Sequence, residues 1–238
     1  MEKLREYAKE IGIELSDEQL SKFLTYYEML IETNKVMNLT AITEKDDVIV
    51  KHFLDSILLV KPYQELMDCK GVKILDLGTG AGFPGLPLKI TFPDIDVVLM
   101  DSLNKRVKFL QEVIDKLGLT GIEAIHGRAE EMARNKSHRE SYDICVSRAV
   151  ANLSTLSEYC LPFVKTGGMF ISYKSSEIEE ELNNAGKAIT TLGGKLTAVK
   201  KVDLPGSDIQ RSFVIINKEK NTPKVYPRKA GTATRNPL

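Results

Sequence analysis

Tryptophan is absent from the 238 residues, and tyrosine and phenylalanine number only eight each. A platform of aromatics that stacks the bases of a single strand is therefore not expected. Cysteine is scarce: Cys69, Cys145 and Cys160 are odd in number and widely spaced, with no CxxC and no Cys/His metal spacing. That pattern excludes a disulfide framework or a zinc cluster and reads as reduced core thiols. The histidines, His52, His126 and His138, show no helix-face metal spacing either. No apolar run approaches the ~18 residues of a membrane span, and the charged, amphipathic first thirty residues lack the apolar core of a signal peptide. A cytoplasmic protein with no membrane contact is expected. Net charge is lacking too, with 33 Lys plus Arg against 33 Asp plus Glu, so the global balance points to no polyanionic partner. At 42% apolar and 28% charged residues the chain is an ordinary globular one, which excludes disorder.

The charge is distributed unevenly. From Asn217 to Leu238 six basic residues (Lys218, Lys220, Lys224, Arg228, Lys229, Arg235) face one acid, Glu219. Such a tail can bind phosphates by counterion release; the alternative is a solvated, frayed terminus. The N-terminal part reads as helix. Ser16 and Gln19 form a capping-box signature, and Leu20, Phe23, Leu24, Tyr27, Leu30 and Ile31 follow at helical spacing, a core-facing stripe. A polar break over 34–43 precedes a second helix from about Glu44 to Val60, with Val48, His52 or Phe53, and Ile57 or Leu58 on its apolar side.

From Val72 the period changes to short Val/Ile-rich runs alternating with amphipathic segments, as parallel βαβ units require. Strands are expected over 72–77, 97–101, 122–127, 142–147 and 169–173, with helices starting near Gly85, Leu103, Ala129, Leu153 and Ser176. Two more strands, 195–204 and 212–217, are separated by Pro205-Gly206-Ser207-Asp208 with no room for a helix and must pair antiparallel. This predicts a doubly wound, seven-stranded, mostly parallel α/β sheet with one antiparallel strand. The implied division is an N-terminal helical extension (1–66), a cofactor-binding domain (67–217) and a basic tail (218–238). A doubly wound sheet of this kind, closed by an antiparallel hairpin, is the class I methyltransferase architecture, which binds S-adenosylmethionine; a dinucleotide-binding fold would have an entirely parallel sheet.

The run Ile74-Leu75-Asp76-Leu77-Gly78-Thr79-Gly80-Ala81-Gly82-Phe83 places Gly78, Gly80 and Gly82 where an apolar strand stops. Bare backbone there lets N–H groups approach a ligand closely. Gly80 to Gly85 also satisfies GxGxxG, the dinucleotide fingerprint, but Gly78 and Thr79 intervene after the strand and Pro84 falls inside the motif. Asp101 ends the second strand, where its carboxylate can accept from both ribose hydroxyls of an adenosine or serve only as an anion at a helix start. Ala129 and Glu130 follow the third strand, beyond whose carboxyl end doubly wound folds hold ligands. The backbone of Ala129 can bond an adenine edge, whereas Glu130 can equally be only a first-turn acid. Arg148, in Ser147-Arg148-Ala149-Val150 at the end of the fourth strand, wants an anion, either a substrate group or a core carboxylate.

Asn38-Leu39-Thr40, His52-Phe53-Leu54-Asp55-Ser56, Asp76 to Gly85, Asp101-Ser102-Leu103-Asn104-Lys105-Arg106, Arg148-Ala149 and Tyr226-Pro227-Arg228-Lys229 together resemble the RsmG (GidB) family over nearly the whole chain. These are bacterial S-adenosylmethionine-dependent methyltransferases that modify N7 of a guanine in 16S ribosomal RNA. The resemblance implies cofactor contacts at Gly78, Phe83, Ala129, Glu130 and Arg148. It also implies that Asn38, Thr40, His52, Asp55, Lys174, Arg211, Arg228 and Lys229 lie near the RNA. The expected partner is 16S RNA or the small subunit, and the expected state a monomer. Transfer to N7, which carries a lone pair and no hydrogen, needs no general base, in keeping with the lack of a nucleophile–base constellation. Arg148, as the residue presented to the methyl acceptor, and Asp55, as a carboxylate that favours positive charge on the alkylated ring, are the catalytic candidates. The competing readings are a NAD-dependent oxidoreductase and a non-catalytic RNA- or ribosome-binding module.

Overall fold

The computed structural model describes residues 1–148 and 151–238. Ala149 and Val150, which complete the Ser147-Arg148-Ala149-Val150 run, lie outside the described residues. The chain opens with α1 (Glu2–Glu10) and α2 (Asp17–Met37). Ser16 caps α2 through the expected box, its side chain accepting from Gln19 N while Gln19 answers on the Ser16 N–H. The helix runs a turn into the predicted polar break and stops at Asn38, in the left-handed conformation (φ 49°) that Asn tolerates better than most side chains. Its buried residues are Leu20, Phe23, Tyr26 and Leu30, so the stripe turns inward on Tyr26 rather than on Tyr27.

The next helical stretch spans 45–60 as α3 (Lys45–Val48), a π turn (Ile49–Leu54), α4 (Asp55–Ile57) and a 3₁₀ turn (Leu58–Val60). The π turn widens the helix, and both predicted alternatives for its apolar side, His52 with Phe53 and Ile57 with Leu58, are buried. The described residues then form one sheet of seven strands: β1 (Lys73–Leu77), β2 (Asp96–Asp101), β3 (Ile122–His126), β4 (Tyr142–Ser147), β5 (Val164–Ser175), β6 (Gly194–Asp203) and β7 (Gln210–Lys218). Their order is β3-β2-β1-β4-β5-β7-β6. Pairings from β3 to β5 are parallel, while β7 runs antiparallel to both of its neighbours. Helices α5 (Gly85–Thr91), α6 (Asn104–Leu117), α7 (Ala129–Met132), α8 (Leu153–Cys160) and α9 (Glu179–Thr191) cross between strands.

Two hydrophobic cores result, one on each sheet face. The first joins α1, α2 and the 45–60 stretch to α5 and α6 under the sheet. The second packs α8 and α9 on the other face. The helices of the N-terminal extension thus pack into the first of these cores. Among the described residues no helix is long and apolar enough to cross a membrane.

The first part of the 21-residue C-terminal stretch is not frayed but tied to the body of the protein. Lys218 is fully buried and donates to Leu161 O and Val164 O; burial pushes its ammonium pKa down to about 8 although Glu140 opposes the shift. Arg139 donates to the carbonyls of Thr222, Pro223 and Tyr226. A short helix, α10 (Thr232–Arg235), ends on α8.

Candidate functional site

Parallel strands deliver their carboxyl ends to one edge, and the first crossover starts there with the glycine loop. Gly78 N and Thr79 N donate to Met100 O on β2, which folds the loop back over the sheet edge. Asp76 is fully buried; its Oδ2 accepts from Thr79 Oγ1 (2.6 Å) and Gly85 N (2.8 Å), tying both ends of the turn together. Among the described residues nothing donates to its Oδ1, and burial, opposed by those hydrogen bonds, raises its pKa to about 7. From α2, Tyr26 donates its hydroxyl to Ala81 O (2.6 Å) and so pins the loop to the N-terminal helices.

The three glycines are not equivalent. Gly78 has φ +73° and Gly80 +62°, and a Cβ on either would meet open space, as a face left bare for a ligand requires. Gly82 (φ +108°) faces inward: a Cβ there would lie 2.4 Å from Leu86 Cδ1 and 2.8 Å from the Tyr26 hydroxyl. Its lack of a side chain therefore serves packing, and Gly82, expected to border the cofactor, is not in the lining of the cavity onto which Gly78 opens.

Gly78 opens into a cavity of about 430 Å³ whose lining also holds Asp101, Ala129, Glu130 and Ser147. Gly78, Asp101, Ala129 and Glu130, expected to face the cofactor, are thereby brought together, whereas Gly80, Phe83 and Arg148, expected there too, are not in this lining. Asp101 borders the cavity as well; its Oδ1 accepts from Leu103 N at the start of α6, as the helix-start alternative has it, and its Oδ2 accepts from Gly80 N and Arg106 Nη1 (3.5 Å). The opposite wall is one the sequence signals missed: Leu156 and Tyr159 of α8 with Gly231 and Thr234 of the tail. Glu130, half-buried, accepts the Gly231 N–H (3.0 Å) through Oε1. An S-adenosyl group fits this lining in kind: a bare glycine face at one end, the acidic side chain of Asp101 in the middle, and half-buried Ala129 at the end of β3.

A second cavity of about 490 Å³ lies beside the first and is lined by Ile42, Lys51, His52, Arg148, Tyr173, Lys174, Ser175, Glu181, Ile209 and Arg211. Its centre is an ion cluster. Asp55, fully buried, accepts from Arg148 Nη1 (2.8 Å) and from Arg211 Nε (2.6 Å) and Nη2 (3.3 Å). The π turn makes this possible: Asp55 N bonds to His52 O and Val50 O, leaving Lys51 O to accept from Arg148 Nη1 (3.1 Å). Arg148 Nη2 reaches His52 Nδ1 (3.2 Å), and the guanidinium lies 5.0 Å above the Phe83 ring, on which His52 also stacks at 4.5 Å. Phe83 is buried at this junction, and Thr40 Oγ1 holds His52 Nε2 at 2.7 Å. Lys174 donates to Ala151 O and pairs with Glu181.

Burial and the neighbouring Arg148 push the His52 pKa down to about 4. Because the folded value lies below the unfolded one near 6.5, His52 contributes stability above that value, lost as pH falls through about 4. We expect its ring resonances, followed by NMR, to stay flat between pH 5 and 8; an inflection near 6.5 would contradict this burial.

His52, Lys174, Arg211 and Arg148 thus line one cavity, which Thr40 reaches only through its bond to His52. Asp55, expected as a catalytic carboxylate, is fully buried with both oxygens held by arginines and does not line the cavity, a placement that suits a positioning role. Asn38 ends α2 and is exposed. Arg228 is held through its N, Nε and Nη2 by Glu158, itself 1% exposed, and so its guanidinium serves the fold; Lys229 alone of that pair is exposed. Tyr26, Tyr159, Glu181 and Thr234 are the site-building residues that no motif had singled out.

The antiparallel β7 departs from the parallel sheet expected of the dinucleotide-binding alternative. Comparison with known proteins agrees. A family model described as rRNA small subunit methyltransferase G (GidB) matches residues 19–213. The chain is 54% identical over 230 residues to the ribosomal RNA small subunit methyltransferase G of Lachnoclostridium phytofermentans, covering 97% of this chain and 94% of that one. It is also 54% identical to the protein of the same name from Desulforamulus reducens, covering 99% and 97%. Among solved structures, M. jannaschii TYW2 in complex with AdoMet shares the fold at a TM-score of 0.52 and 14% identity, over 69% of this chain and 76% of that one.

Proposed function

The chain belongs to the rRNA small subunit methyltransferase G (GidB) family, and on that footing we propose that it transfers the methyl group of S-adenosylmethionine to N7 of a guanine in 16S ribosomal RNA. The observation that carries this reading is the meeting of two cavities at the end of β4. Ser147 lines the one bordered by the glycine loop, and Arg148, the next residue, lines the one bordered by basic and aromatic side chains. In open α/β sheets a ligand lies beyond the carboxyl ends of the strands, and a cosubstrate and an acceptor that must meet need adjoining pockets there.

The cofactor supplies a sulfonium-activated methyl group. Gly78 and Gly80 offer it bare backbone, Asp101 its carboxylate, and the Ala129–Glu130 segment an edge for the base. On the acceptor side the chain's work is positioning. Holding a lone-pair nucleophile in line at ~3 to 3.5 Å supplies on the order of 7 to 11 kcal/mol of the barrier, which leaves no task for a base. Arg148, locked by Asp55, Lys51 O and His52, has one orientation at the junction and is the residue we place against the guanine or the cofactor. Ile42 and Ile209 give the acceptor cavity apolar walls, while Lys51, Lys174 and Arg211, each beside an acidic partner, give it donors suited to the phosphates of RNA. We take the enzyme to act in the cytoplasm, on 16S RNA or the small subunit, as a monomer.

Incubating the purified enzyme with labelled S-adenosylmethionine and small-subunit RNA from a strain lacking the gene tests the assignment. Label is expected on one guanine, mapped by primer extension and identified as the N7-methyl nucleoside. Label on another atom or base would overturn the N7 reading. Cofactor binding without any label in RNA would favour the non-catalytic binding module.

A further inference from the structure

The end of the chain closes a pocket that the glycine loop opens. We infer that the segment from Arg228 to Arg235 is a strap over the cofactor cavity, and that strap docking and cofactor binding stabilise each other. The inference rests on assigning that cavity to the S-adenosyl group.

Four attachments hold the strap. Arg228 grips buried Glu158 of α8. Gly231 N donates to Glu130 Oε1 at the start of α7. Thr155 Oγ1 donates to Ala233 O (3.1 Å), and the hydroxyls of Tyr159 and Thr234 share a hydrogen bond (3.1 Å). Between them Gly231 and Thr234 form part of the cavity wall. Glu130 is the pivot of the argument, because one residue both lines the cavity and anchors the strap, so whatever orders Glu130 orders both.

The root of the strap is fixed and its tip is not. Arg139 and Arg134 hold the carbonyls of residues 222–227 on the body of the protein. Beyond Arg228 only Ala233 is buried, whereas Lys229, Ala230 and 234–237 are exposed. Release of the strap would therefore cost one ion pair, a few hydrogen bonds and one small apolar contact, and would remove the outer wall of the cavity. A ligand that touches this wall binds the closed form better, and by reciprocity its presence must slow opening. Cofactor entry and product exit would then pass through strap release.

Trypsin, which cuts after Arg228, Lys229 and Arg235, reports the opening of the full-length enzyme, with S-adenosylhomocysteine as the probe. We expect saturating S-adenosylhomocysteine to slow cleavage at these bonds about tenfold. Thr234→Phe, at an exposed position where the fold is spared, places a ring in the cavity wall and should weaken S-adenosylhomocysteine about tenfold by calorimetry. Arg228→Ala should weaken it as well and abolish most of the protection. Cleavage at an unchanged rate in saturated enzyme, or Thr234→Phe binding within about twofold of the parent, would overturn the strap while leaving the cofactor assignment standing. A parent enzyme that does not bind S-adenosylhomocysteine at all would overturn both.

Discussion

Asp55→Ala is expected to destabilise the protein by about 3 to 5 kcal/mol and to cut methyl transfer by roughly 10²-fold in whatever fraction stays folded. The carboxylate is fully buried and answers two guanidinium groups, Arg148 at 18% and Arg211 at 25% exposure. Deleting it leaves two cations in the wall of the acceptor cavity with no counter-charge, and the loss of one partner from a buried pair is costlier than the loss of both. The catalytic loss follows from geometry. Without Asp55 the Arg148 guanidinium keeps only Lys51 O and His52 Nδ1, and a displacement of about 1 Å at a reacting site is enough for such a fall. Asp55→Asn should be milder in stability, since one amide oxygen can still accept from one arginine, yet similar in rate because its NH₂ opposes the other. Chemical denaturation and methyl incorporation into small-subunit RNA check the two effects. A variant as stable and as active as the parent would show that the cluster is ornamental.

How far the sequence anticipates these features depends on range. The parallel strands are buried on both faces and read as unbroken apolar runs, so Ile74-Leu75, Val97 to Met100 and Ile144 to Val146 place β1, β2 and β4 within a residue or so. β5 begins five residues before its expected start. Lys165-Thr166-Gly167-Gly168 reads as a turn, but pairing of Val164 with Tyr142 carries the strand through it. The glycine loop is legible because its conformation is local; that Gly82 faces Leu86 and Tyr26 is not, since Tyr26 lies far upstream, bonded to Ala81 across 55 residues. The same holds for charge. Composition marks the tail as basic, yet the acids that take up its groups, Glu130, Glu140 and Glu158, sit far back in the chain among residues with no acidic surplus to betray them. Asp55 and Arg148 each look functional in the sequence, but their pairing across 93 residues is what turns a candidate catalytic carboxylate into a positioning one.

That inequality among the glycines yields the other large effect. Gly82→Val should cost roughly 2 to 5 kcal/mol, because a positive φ of 108° penalises any L side chain and the new atoms have nowhere to go between Leu86, Tyr26 and Leu110. Gly78→Val meets open space and should cost only about 1 to 2 kcal/mol for its φ of +73°. Its branched side chain, however, would stand in the cavity that the loop borders. The two variants should therefore separate cleanly. Gly82→Val lowers the melting temperature, and whatever remains folded binds S-adenosylhomocysteine with little change. Gly78→Val keeps most of its stability and loses cofactor affinity by at least about tenfold, the loss of one close backbone approach being worth some 1.4 kcal/mol. If Gly78→Val bound the cofactor as the parent does, the cavity beyond β1 would not be where the S-adenosyl group lies. The assignments of Asp101, Ala129 and Glu130, which rest on lining that same space, would then fall with it.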